Sequence, residues 1–458
     1  MSTPTIESLR EQVRGEVIAS GDDAYDEARK VYNAMIDKRP GSIVRASNQA
    51  DVIATVRFAA ESNADLSIRG GAHSVPGFGT NDGGVVLDLS TMRGTRVDPR
   101  SKTARAQGGC RWGDLDHATH AFGMATVGGV VSTTGVGGLT LGGGIGYLTR
   151  GHGLSLDNLV SADVVTANGD LLHASLDENA DLFWALRGGG GNFGVVTDFE
   201  FRLHPVGTIY GGPTFFEADR ARDVLEAFRS YMATAPPQLG AFFAWQIAPP
   251  LPFIPEDRHG DTMCAIIACW SGPLEEGEAA LKPLMDAAPI VAQHVGPAPY
   301  PALNSAFDGL LPAGLQHYWK ANFVEELSDE LISAHVEHGP KVPAVQSTMH
   351  IYPINGAVHE VDPDSTAFGN RDANFSTVVA GMWPDPKHNE ANIKWVRDYA
   401  AATAPFSREG GYINFLSADD AVRVEQNYGT TYKRLTEIKK KYDPTNLFRM
   451  NQNIKPSS

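Results

Sequence analysis

A short glycine-rich segment holds the residues of this sequence that are best suited to chemistry. Directly after a short apolar stretch, the chain reads RGGAHS over Arg69–Ser74. Glycine adopts positive φ without steric cost, so Gly70 and Gly71 predict a turn whose backbone N–H groups point inward and bind a pyrophosphate. Arg69 adds a positive charge, and the imidazole of His73 is a suitable nucleophile for a covalent bond to a bound molecule. The alternative interpretation is a glycine-rich hairpin with an incidental surface histidine.

The elements that must position this segment form a β-α-β pattern. Hydrophobic spacing predicts a strand over 42–45, an amphipathic helix over 49–62, and a strand over 66–69 that leads into the glycine-rich turn. Residues 1–38 are expected to form a helical lead-in. Further strands are predicted over 85–89 and within 97–106.

A second glycine cluster spans 126–154 and contains TTGVGG over Thr133–Gly138, followed by GGGIG over Gly142–Gly146. A dinucleotide-binding Rossmann fingerprint is the competing interpretation. It fits poorly, because that fingerprint follows the first strand of a β-α-β unit and precedes an acidic residue by about 20 positions. A generic glycine loop is the other alternative.

Two further segments complete the series. Residues 159–202 predict strands joined by an Asn168-Gly169 hairpin turn, then a helix, the run Gly188–Gly191 and a last strand. Near the C-terminus the chain reads KKYDPTNLFRMNQNI over 440–454. Asp443-Pro444 with Asn446 is also typical of a turn that ends a helix.

Taken in this order, these segments resemble the vanillyl-alcohol-oxidase type of FAD-binding domain, in its berberine-bridge-enzyme-like branch. The resemblance implies FAD bonded through His73 alone, since Val131 stands where bicovalent members place a cysteine. It also implies that the backbone at Val195 recognises the adenine and that asparagines of the C-terminal segment contact the flavin. The implied FAD-contacting residues are Arg69, Gly70, Gly71, Ala72, His73, Ser74, Thr133, Thr134, Gly135, Gly137, Gly138, Gly142, Val195, Asn451 and Asn453.

The expected fold class is α+β, with a two-subdomain PCMH-type FAD-binding domain and a substrate domain whose antiparallel sheet is covered by helices. The expected boundaries are 1–206 for the first part of the FAD-binding domain, 207–405 for the substrate domain and 406–458 for a return to the first domain. Within the substrate domain, strands are predicted over 211–216, 240–247, 263–270, 317–323 and 348–353, and helices over 218–233 and 274–287. A strand is predicted over 410–416, and a helix within 421–442.

Candidate catalytic residues lie in two of these strands. Alternation places His350 and Tyr352 on one face, which by resemblance looks onto the flavin. Tyr412 shares a parity with Asn414, and the family often places a catalytic tyrosine in such a Y-x-N motif, so Tyr412 is the first candidate for the base. The alternatives are a cavity wall for Tyr352, a satisfied buried histidine for His350 and a packing role for Tyr412. Substrate specificity is expected from the roofing sheet, including Tyr318, Lys320 and Asn322.

Composition excludes several classes of function. The chain has 458 residues and a formal net charge of −16, so it lacks the basic field expected of a protein that binds nucleic acid or anionic membranes. Cys110, Cys264 and Cys269 form neither a zinc spacing nor a disulfide framework, and a core position is the expected role of Cys110. No apolar run is long enough to span a bilayer. A cytoplasmic protein without a metal, monomeric or homodimeric, is expected.

The resulting function prediction is an oxidoreductase that removes a hydride from a small alcohol, phenol, amine or sugar-like substrate and passes the electrons to O2. A dehydrogenase of the same fold with another acceptor is the second hypothesis. A flavin-carrying protein without turnover is the third, from a different class.

Overall fold

The structure is a computed structural model that describes residues 4–458, with the side chains of residues 421 and 422 left out of the description. The helices are α1 (Ile6–Gln12), α2 (Tyr25–Ala28), α3 (Gln49–Ser62), α4 (Trp112–His120), α5 (Val136–Gly142), α6 (Thr149–His152), α7 (Ala180–Leu186), α8 (Ala221–Met232), α9 (Gly277–Met285), α10 (Tyr300–Asn304), α11 (Asp329–His338), α12 (Ala357–Glu360), α13 (Asn389–Thr403), α14 (Val424–Tyr428) and α15 (Tyr432–Tyr442). The strands are β1 (Glu16–Ala19), β2 (Ser42–Arg45), β3 (Leu66–Arg69), β4 (Val85–Asp88), β5 (Thr95–Asp98), β6 (Thr103–Gln107), β7 (Leu159–Val165), β8 (Leu171–Ser175), β9 (Val195–Arg202), β10 (Thr208–Glu217), β11 (Leu239–Ile247), β12 (Thr262–Trp270), β13 (Ile290–Gln293), β14 (Gly296–Pro299), β15 (Gln316–Val324), β16 (Thr348–Pro353) and β17 (Phe375–Trp383).

The first sheet has the order β1-β2-β4-β3, and it confirms the predicted strands and helix around the glycine-rich turn. Both β2 and β3 run parallel to β4, which lies between them. Helix α3 connects β2 to β3 and packs Val52 and Val56 against Leu87 of the sheet. Because parallel strands end at the same edge of a sheet, the chain that follows β3 leaves the sheet at the edge where β2 and β4 also end.

The N-terminal segment differs from the predicted helical lead-in. Its first three residues lie outside the described part of the chain; the remainder forms α1, β1 and α2. Strand β1 pairs antiparallel with β2, with Val17 opposite Val44 and Ile18 opposite Ile43. The pair Val17-Ile18 is β-branched, so this stretch fits a pleated surface better than a helix.

The second sheet has the order β5-β6-β9-β7-β8 and is antiparallel throughout. The predicted Asn168-Gly169 turn is confirmed, with Gly169 at a φ of +75° between β7 and β8. The single predicted region over 97–106 is resolved into β5 and β6, which pair with each other. Phe199 and Phe201 of β9 point into the core shared with α4 and α7.

The third sheet has eight strands in the order β13-β10-β12-β11-β16-β17-β15, with β14 beside β10, and all its pairs are antiparallel. One face packs against helices α8, α9, α11 and α13, through side chains such as Phe228, Leu331 and Val396. The opposite face carries Phe242 and Tyr352 and lines a cavity to which β3 and β9 of the two smaller sheets also contribute residues. The expected antiparallel sheet with helices on one side is therefore confirmed.

The C-terminal segment returns to the first two sheets. The strand predicted over 410–416 is wrong, because the backbone N–H of Phe415 donates to the carbonyl of Tyr412 and closes a 3-10 turn over Ile413–Phe415. Helix α15 then places Lys439, fully buried, where its ammonium pairs with Asp443 at 2.7 Å and donates to the carbonyl of Asn192. This network ties the end of the chain to the third glycine loop. Within the described residues no helix is long and apolar enough to cross a membrane.

Candidate active site

A cavity of about 390 Å³ lies where the three sheets meet. Its floor is formed by the three glycine-rich segments and by the C-terminal segment, and its roof is formed by the eight-stranded sheet. The first sheet contributes the chain that follows β3, because the parallel strands β3 and β4 end at this edge. Segments separated by hundreds of residues therefore line one cavity.

The glycines after β3 are required by close contact between loops, and the expectation of positive φ is wrong for both. A Cβ atom on Gly71 would lie 2.4 Å from the backbone nitrogen of Gly135, and one on Gly70 would lie 3.1 Å from the carbonyl oxygen of Gly108. The left-handed residue of this turn is Ala72, with a φ of +61°. The first and second glycine clusters thus touch through their backbones, which brings His73 and Thr134 to one wall of the cavity.

His73 lines the cavity and is held by an aromatic ring from the N-terminal segment. The ring of Tyr32 stacks on the imidazole with centroids 3.8 Å apart and planes 18° apart. The Tyr32 hydroxyl donates to the carbonyl oxygen of Leu311 at 2.6 Å. Burial, with a smaller contribution from His317, lowers the pKa of His73 to about 3. The imidazole is therefore neutral at pH 7 and keeps a free lone pair, as a nucleophile requires.

Sequence reasoning placed Tyr32 on a helix face and did not recognise it as a site residue. Its backbone N–H donates to the carbonyl of Ala72 at 3.2 Å, and its carbonyl accepts from the N–H of Gly314 at 3.1 Å. No signal in the sequence links Tyr32 to His73, because the two are 41 positions apart (73 − 32) and belong to different elements.

Arg69 lies at the cavity, but its charge is not free. The guanidinium donates to a carboxylate oxygen of Asp88 at 2.7 Å, and both side chains are only 5% exposed. A buried ion pair neutralises much of its own charge, so Arg69 adds less positive charge to the turn than its residue type suggests. Ser74, also at the cavity, accepts the backbone N–H of Phe78 at 3.2 Å.

The second glycine segment contains residues of two different kinds. Gly138 lines the cavity, and no heavy atom lies within 4 Å of the position that a Cβ would take. Gly137 also lines the cavity, with Phe199 3.4 Å from such a Cβ. At Gly142 a Cβ would lie 2.2 Å from Oδ1 of Asn414, so this glycine makes room for a side chain of the protein rather than for a ligand.

Val131 lines the cavity at the position where the resemblance places a second attachment site in other members. An isopropyl group has no nucleophile. Cys110 does not substitute for it, since it lies fully buried in the core beside the second sheet and its Sγ–H donates to the carbonyl of Gly94. Burial raises the pKa of all three thiols, Cys110, Cys264 and Cys269, to about 12.

The third glycine segment and the C-terminal segment close the floor. Val195 is buried and lines the cavity. The amide nitrogen of Asn451 donates to the carbonyls of Gly191 and Phe448, both at 3.0 Å. Asn453 is not among the residues that line the cavity. The side chain of Gln452 is, and sequence reasoning missed it although it stands between the two asparagines.

Several buried polar atoms of this floor have no hydrogen-bond partner within the described chain. Asn451 and Gln452, which line the cavity, contribute Oδ1 and both amide ends, and Thr133 and Asn453, which adjoin lining residues in the sequence, contribute a hydroxyl and Oδ1. Buried polar groups are almost always satisfied, so such a group indicates a partner outside the chain. Together with the open space over Gly138 and Gly191, these atoms fit a large polar cofactor such as FAD.

Tyr412 is 2% exposed and lines the cavity. This oxygen accepts the backbone N–H of Gly144 at 2.6 Å and the amide of Asn414 at 2.9 Å. Two donors occupy the acceptor capacity of a phenol oxygen, which leaves its own proton for a group in the cavity. Burial raises the pKa of Tyr412 to about 12, and the bonds from Gly144 and Asn414 oppose this shift.

His350 and Tyr352 both line the roof, on the face of β16 that the alternation predicts. Their side chains are joined by a hydrogen bond of 2.6 Å between Nδ1 of His350 and the Tyr352 hydroxyl. Burial lowers the pKa of His350 to about 3 and raises that of Tyr352. Both groups are therefore uncharged at neutral pH, and their rings lie beside Phe242, with centroids 4.7 Å (His350) and 5.0 Å (Tyr352) from that of Phe242.

The expected specificity residues of β15 are on the wrong face of the sheet. Tyr318 donates to the carboxylate of Asp419, and Lys320 pairs with the same residue on the side away from the cavity. Asn322 shares their parity, and none of the three lines the cavity. The strand instead presents Trp319 to it, since side chains alternate with a period of two.

The comparisons with known proteins agree with this geometry. A family model described as an FAD binding domain matches residues 40–175, and one described as berberine and berberine like matches residues 411–455. An FAD-linked oxidoreductase of Dictyostelium discoideum is 31% identical over 99% of this chain and 98% of its own length. The (R)-6-hydroxynicotine oxidase of Paenarthrobacter nicotinovorans is 30% identical over 97% of each chain.

The crystal structure of 6-hydroxy-D-nicotine oxidase from Arthrobacter nicotinovorans superposes with a TM-score of 0.86 at 28% identity and covers 100% of both chains. Sequence, fold and cavity thus lead to one assignment. The chain belongs to the berberine-bridge-enzyme-like family of FAD-linked oxidoreductases.

Proposed function

We propose that the protein is an oxidase that holds FAD covalently through His73 alone and oxidises a small alcohol at the roof of the cavity. The net reaction is CH–OH + O2 → C=O + H2O2, in which the substrate loses two electrons and two protons and O2 takes them up. FAD supplies the two-electron chemistry, and the protein supplies binding, orientation and proton transfer. The oxidase activity of the 30%-identical relative supports the choice of O2 as acceptor.

The observation that carries the proposal is the environment of His73. A neutral imidazole with its ring fixed by Tyr32 faces the cavity, while the only other position that the resemblance offers for attachment is Val131. Rigid placement of a nucleophile beside its partner replaces much of the entropic cost of bond formation. A single covalent bond at His73 follows.

We assign Thr134, Gly135, Gly137, Gly138, Gly191, Val195, Asn451 and Gln452 to the cofactor site, together with the turn Arg69–Ser74. Gly142, Thr133 and Asn453 do not line the cavity, so we assign them a supporting position next to the lining residues rather than direct contact with FAD. Arg69 acts as an ion-paired support of the turn rather than as a free charge.

Tyr412 is the proposed base. Gly144 and Asn414 donate to its oxygen, so they stabilise the negative charge that appears when the phenol has given up its proton. The pair His350–Tyr352 holds the substrate hydroxyl from the opposite side of the cavity and is the alternative site of proton removal.

The domain boundaries follow the three sheets. The eight-stranded sheet begins at Thr208 and ends at Trp383, and α13 covers it up to Thr403. We therefore propose 1–206 and 406–458 as the FAD-binding domain and 207–405 as the substrate domain.

A substrate panel monitored at the flavin absorbance tests the proposal. Anaerobic bleaching by an alcohol, followed by recovery in air with one peroxide per product, is the expected result. Bleaching without recovery in air would replace O2 by another acceptor. A flavin that no compound of the panel bleaches would contradict the proposed activity.

A further inference from the structure

The cavity contains a single ionisable side chain that carries a formal charge. Among the described residues that line it, the charged one is Arg69, and Asp88 neutralises it at 2.7 Å. The two histidines, His73 and His350, are kept neutral by burial. Under the eight-stranded sheet, the described lining residues include no side chain with a formal charge, so a charged substrate bound there would lose its hydration without gaining a counterion, which is strongly unfavourable.

The roof and the adjoining turn Ile413–Phe415 carry a group of aromatic rings. Phe242 and Tyr352 lie with ring centroids 5.0 Å apart, and Phe415 lies 6.0 Å from Tyr352 and 6.1 Å from Trp319. All four side chains line the cavity. Rings at these separations favour an additional ring in an offset or edge-on arrangement.

The polar groups of the roof are few, and some of them bond to one another or to the sheet. His350 and Tyr352 bond to each other, and the hydroxyl of Thr348 donates to the carbonyl of Trp245 at 2.8 Å. A sugar would bring several hydroxyl groups into the cavity, and each needs a partner when it is desolvated. The described roof offers only a few such partners, namely the His350–Tyr352 pair and the side-chain amides of Gln246 and Gln346.

We propose that the substrate is an uncharged aryl carbinol, a planar aromatic ring whose attached carbon carries one hydroxyl group. The inference rests on the proposed oxidase function and narrows its substrate. The ring lies against Phe242, Trp319 and Phe415, and the hydroxyl faces Tyr412 and the His350–Tyr352 pair. Ammonium-bearing amines, carboxylates and sugars are thereby disfavoured. The step is ArCH(R)–OH + O2 → ArC(R)=O + H2O2, with both electrons and both protons transferred to O2.

Binding of unreactive probes tests the selectivity without turnover. Titration of the FAD-loaded protein with benzamide and benzoate, followed by the shift of the flavin absorbance, compares two ligands of one shape that differ in charge. We expect benzoate to bind on the order of 10²-fold more weakly. Cyclohexanecarboxamide, which has the same amide but no aromatic ring, is expected to bind more weakly than benzamide. Equal dissociation constants within either pair, or no binding of any of them, would overturn the inference.

A variant with a cation in the roof provides the converse test. Gln246 lines the cavity and is half-buried, with one weak contact of 3.4 Å to the carbonyl of Val345. Gln246→Lys should tighten benzoate and leave benzamide nearly unchanged. If Gln246→Lys binds benzoate with the same dissociation constant as the parent protein, the placement of the ligand under this residue is contradicted.

Turnover separates the inference from the proposed function. 4-(Hydroxymethyl)benzamide should reduce the flavin, and 4-(hydroxymethyl)benzoate should do so on the order of 10²-fold less efficiently. If the protein binds benzamide more tightly than benzoate but no alcohol reduces its flavin, the oxidase activity is refuted and the selectivity of the cavity still holds. Equal turnover of both alcohols, or faster turnover of a sugar, would refute the substrate class.

Discussion

The pH dependence of flavin reduction distinguishes the two candidate bases. The pKa of Tyr412 is raised to about 12, whereas that of His350 is lowered to about 3. A base must be deprotonated to act, so a tyrosinate becomes more abundant as the pH rises towards its pKa. The imidazole of His350 is already neutral across the neutral range. The two assignments therefore predict different slopes.

The magnitude follows from the pKa. At pH 7 a phenol with a pKa of about 12 is ionised in a fraction of about 10⁻⁵, since the exponent is 7 − 12. If the reactive form is the tyrosinate of Tyr412, the rate constant of flavin reduction should rise about tenfold per pH unit between about pH 6 and pH 10. If His350 is the base, the rate constant should be flat over this range.

Anaerobic stopped-flow reduction of the wild type and of Tyr412→Phe measures both quantities. Removal of the hydroxyl should slow reduction by about 10² to 10⁴-fold and abolish the slope. It also leaves the buried N–H of Gly144 without its acceptor, which costs about 1 to 3 kcal/mol of stability, so rates are normalised to bound FAD. Tyr147→Phe is the matched control, because the Tyr147 hydroxyl is buried without a partner in the described chain and does not line the cavity.

A Tyr412→Phe protein that keeps both the rate and the slope would refute the assignment and transfer proton removal to the His350–Tyr352 pair. A flat profile in the wild type would refute a tyrosinate base in its own right. Loss of rate in Tyr147→Phe as well would indicate that any Tyr→Phe change in this region disturbs the cavity.

Four further outcomes are expected. In His73→Ala, acid should release the bound FAD, and the reduction potential of the flavin should be lower. When the wild-type protein is denatured in acid, the yellow flavin should stay on a peptide that contains His73. Tyr32→Ala should lower the covalently bound fraction of FAD, and Tyr32→Phe should preserve it because the phenyl ring retains the stack on His73. Equal covalent fractions in Tyr32→Ala and the wild type would exclude a positioning role of Tyr32. Gly138→Leu should reduce FAD content without loss of fold, since its Cβ meets open cavity, and Gly309→Leu, which is also open but outside the cavity, should not. Burial raises the pKa of Asp116 to about 7, so between about pH 4 and pH 7 the folded state keeps a proton that the unfolded state has released. The free energy of unfolding should therefore fall by up to roughly 4 kcal/mol as the pH rises from about 4 to above 7. Asp116→Asn should remove this loss, and an unchanged pH profile of unfolding in that variant would contradict the raised pKa.

The sequence alone determined the features that depend on neighbouring residues. The helix over 49–62 and the strands on either side of it were predictable because their apolar spacing is read within a few positions. The Asn168-Gly169 turn was predictable because few residues other than glycine tolerate a φ of +75°. The glycine clusters and the C-terminal segment together also identified the family.

Tertiary contacts decided what the glycines and charges are for. Gly71 is small because Gly135, 64 positions away (135 − 71), approaches its backbone, and Arg69 is neutral in effect because Asp88 on the neighbouring parallel strand faces it. Neither partner is visible from local spacing. For this reason the expectation of positive φ was wrong and Arg69 adds less charge than its residue type suggests, although Gly71 and Arg69 both line the cavity.

The faces of the third sheet were likewise decided by packing. On β15 the predicted residues Tyr318 and Lys320 and the observed residue Trp319 differ by one position, and one position reverses the face. Because helices cover one side of this sheet and the cavity lies on the other, both faces carry large apolar side chains and the alternation has no polar side to mark solvent. Only the packed structure shows that Trp319 faces the cavity, and that Tyr32 and His73 meet at its wall.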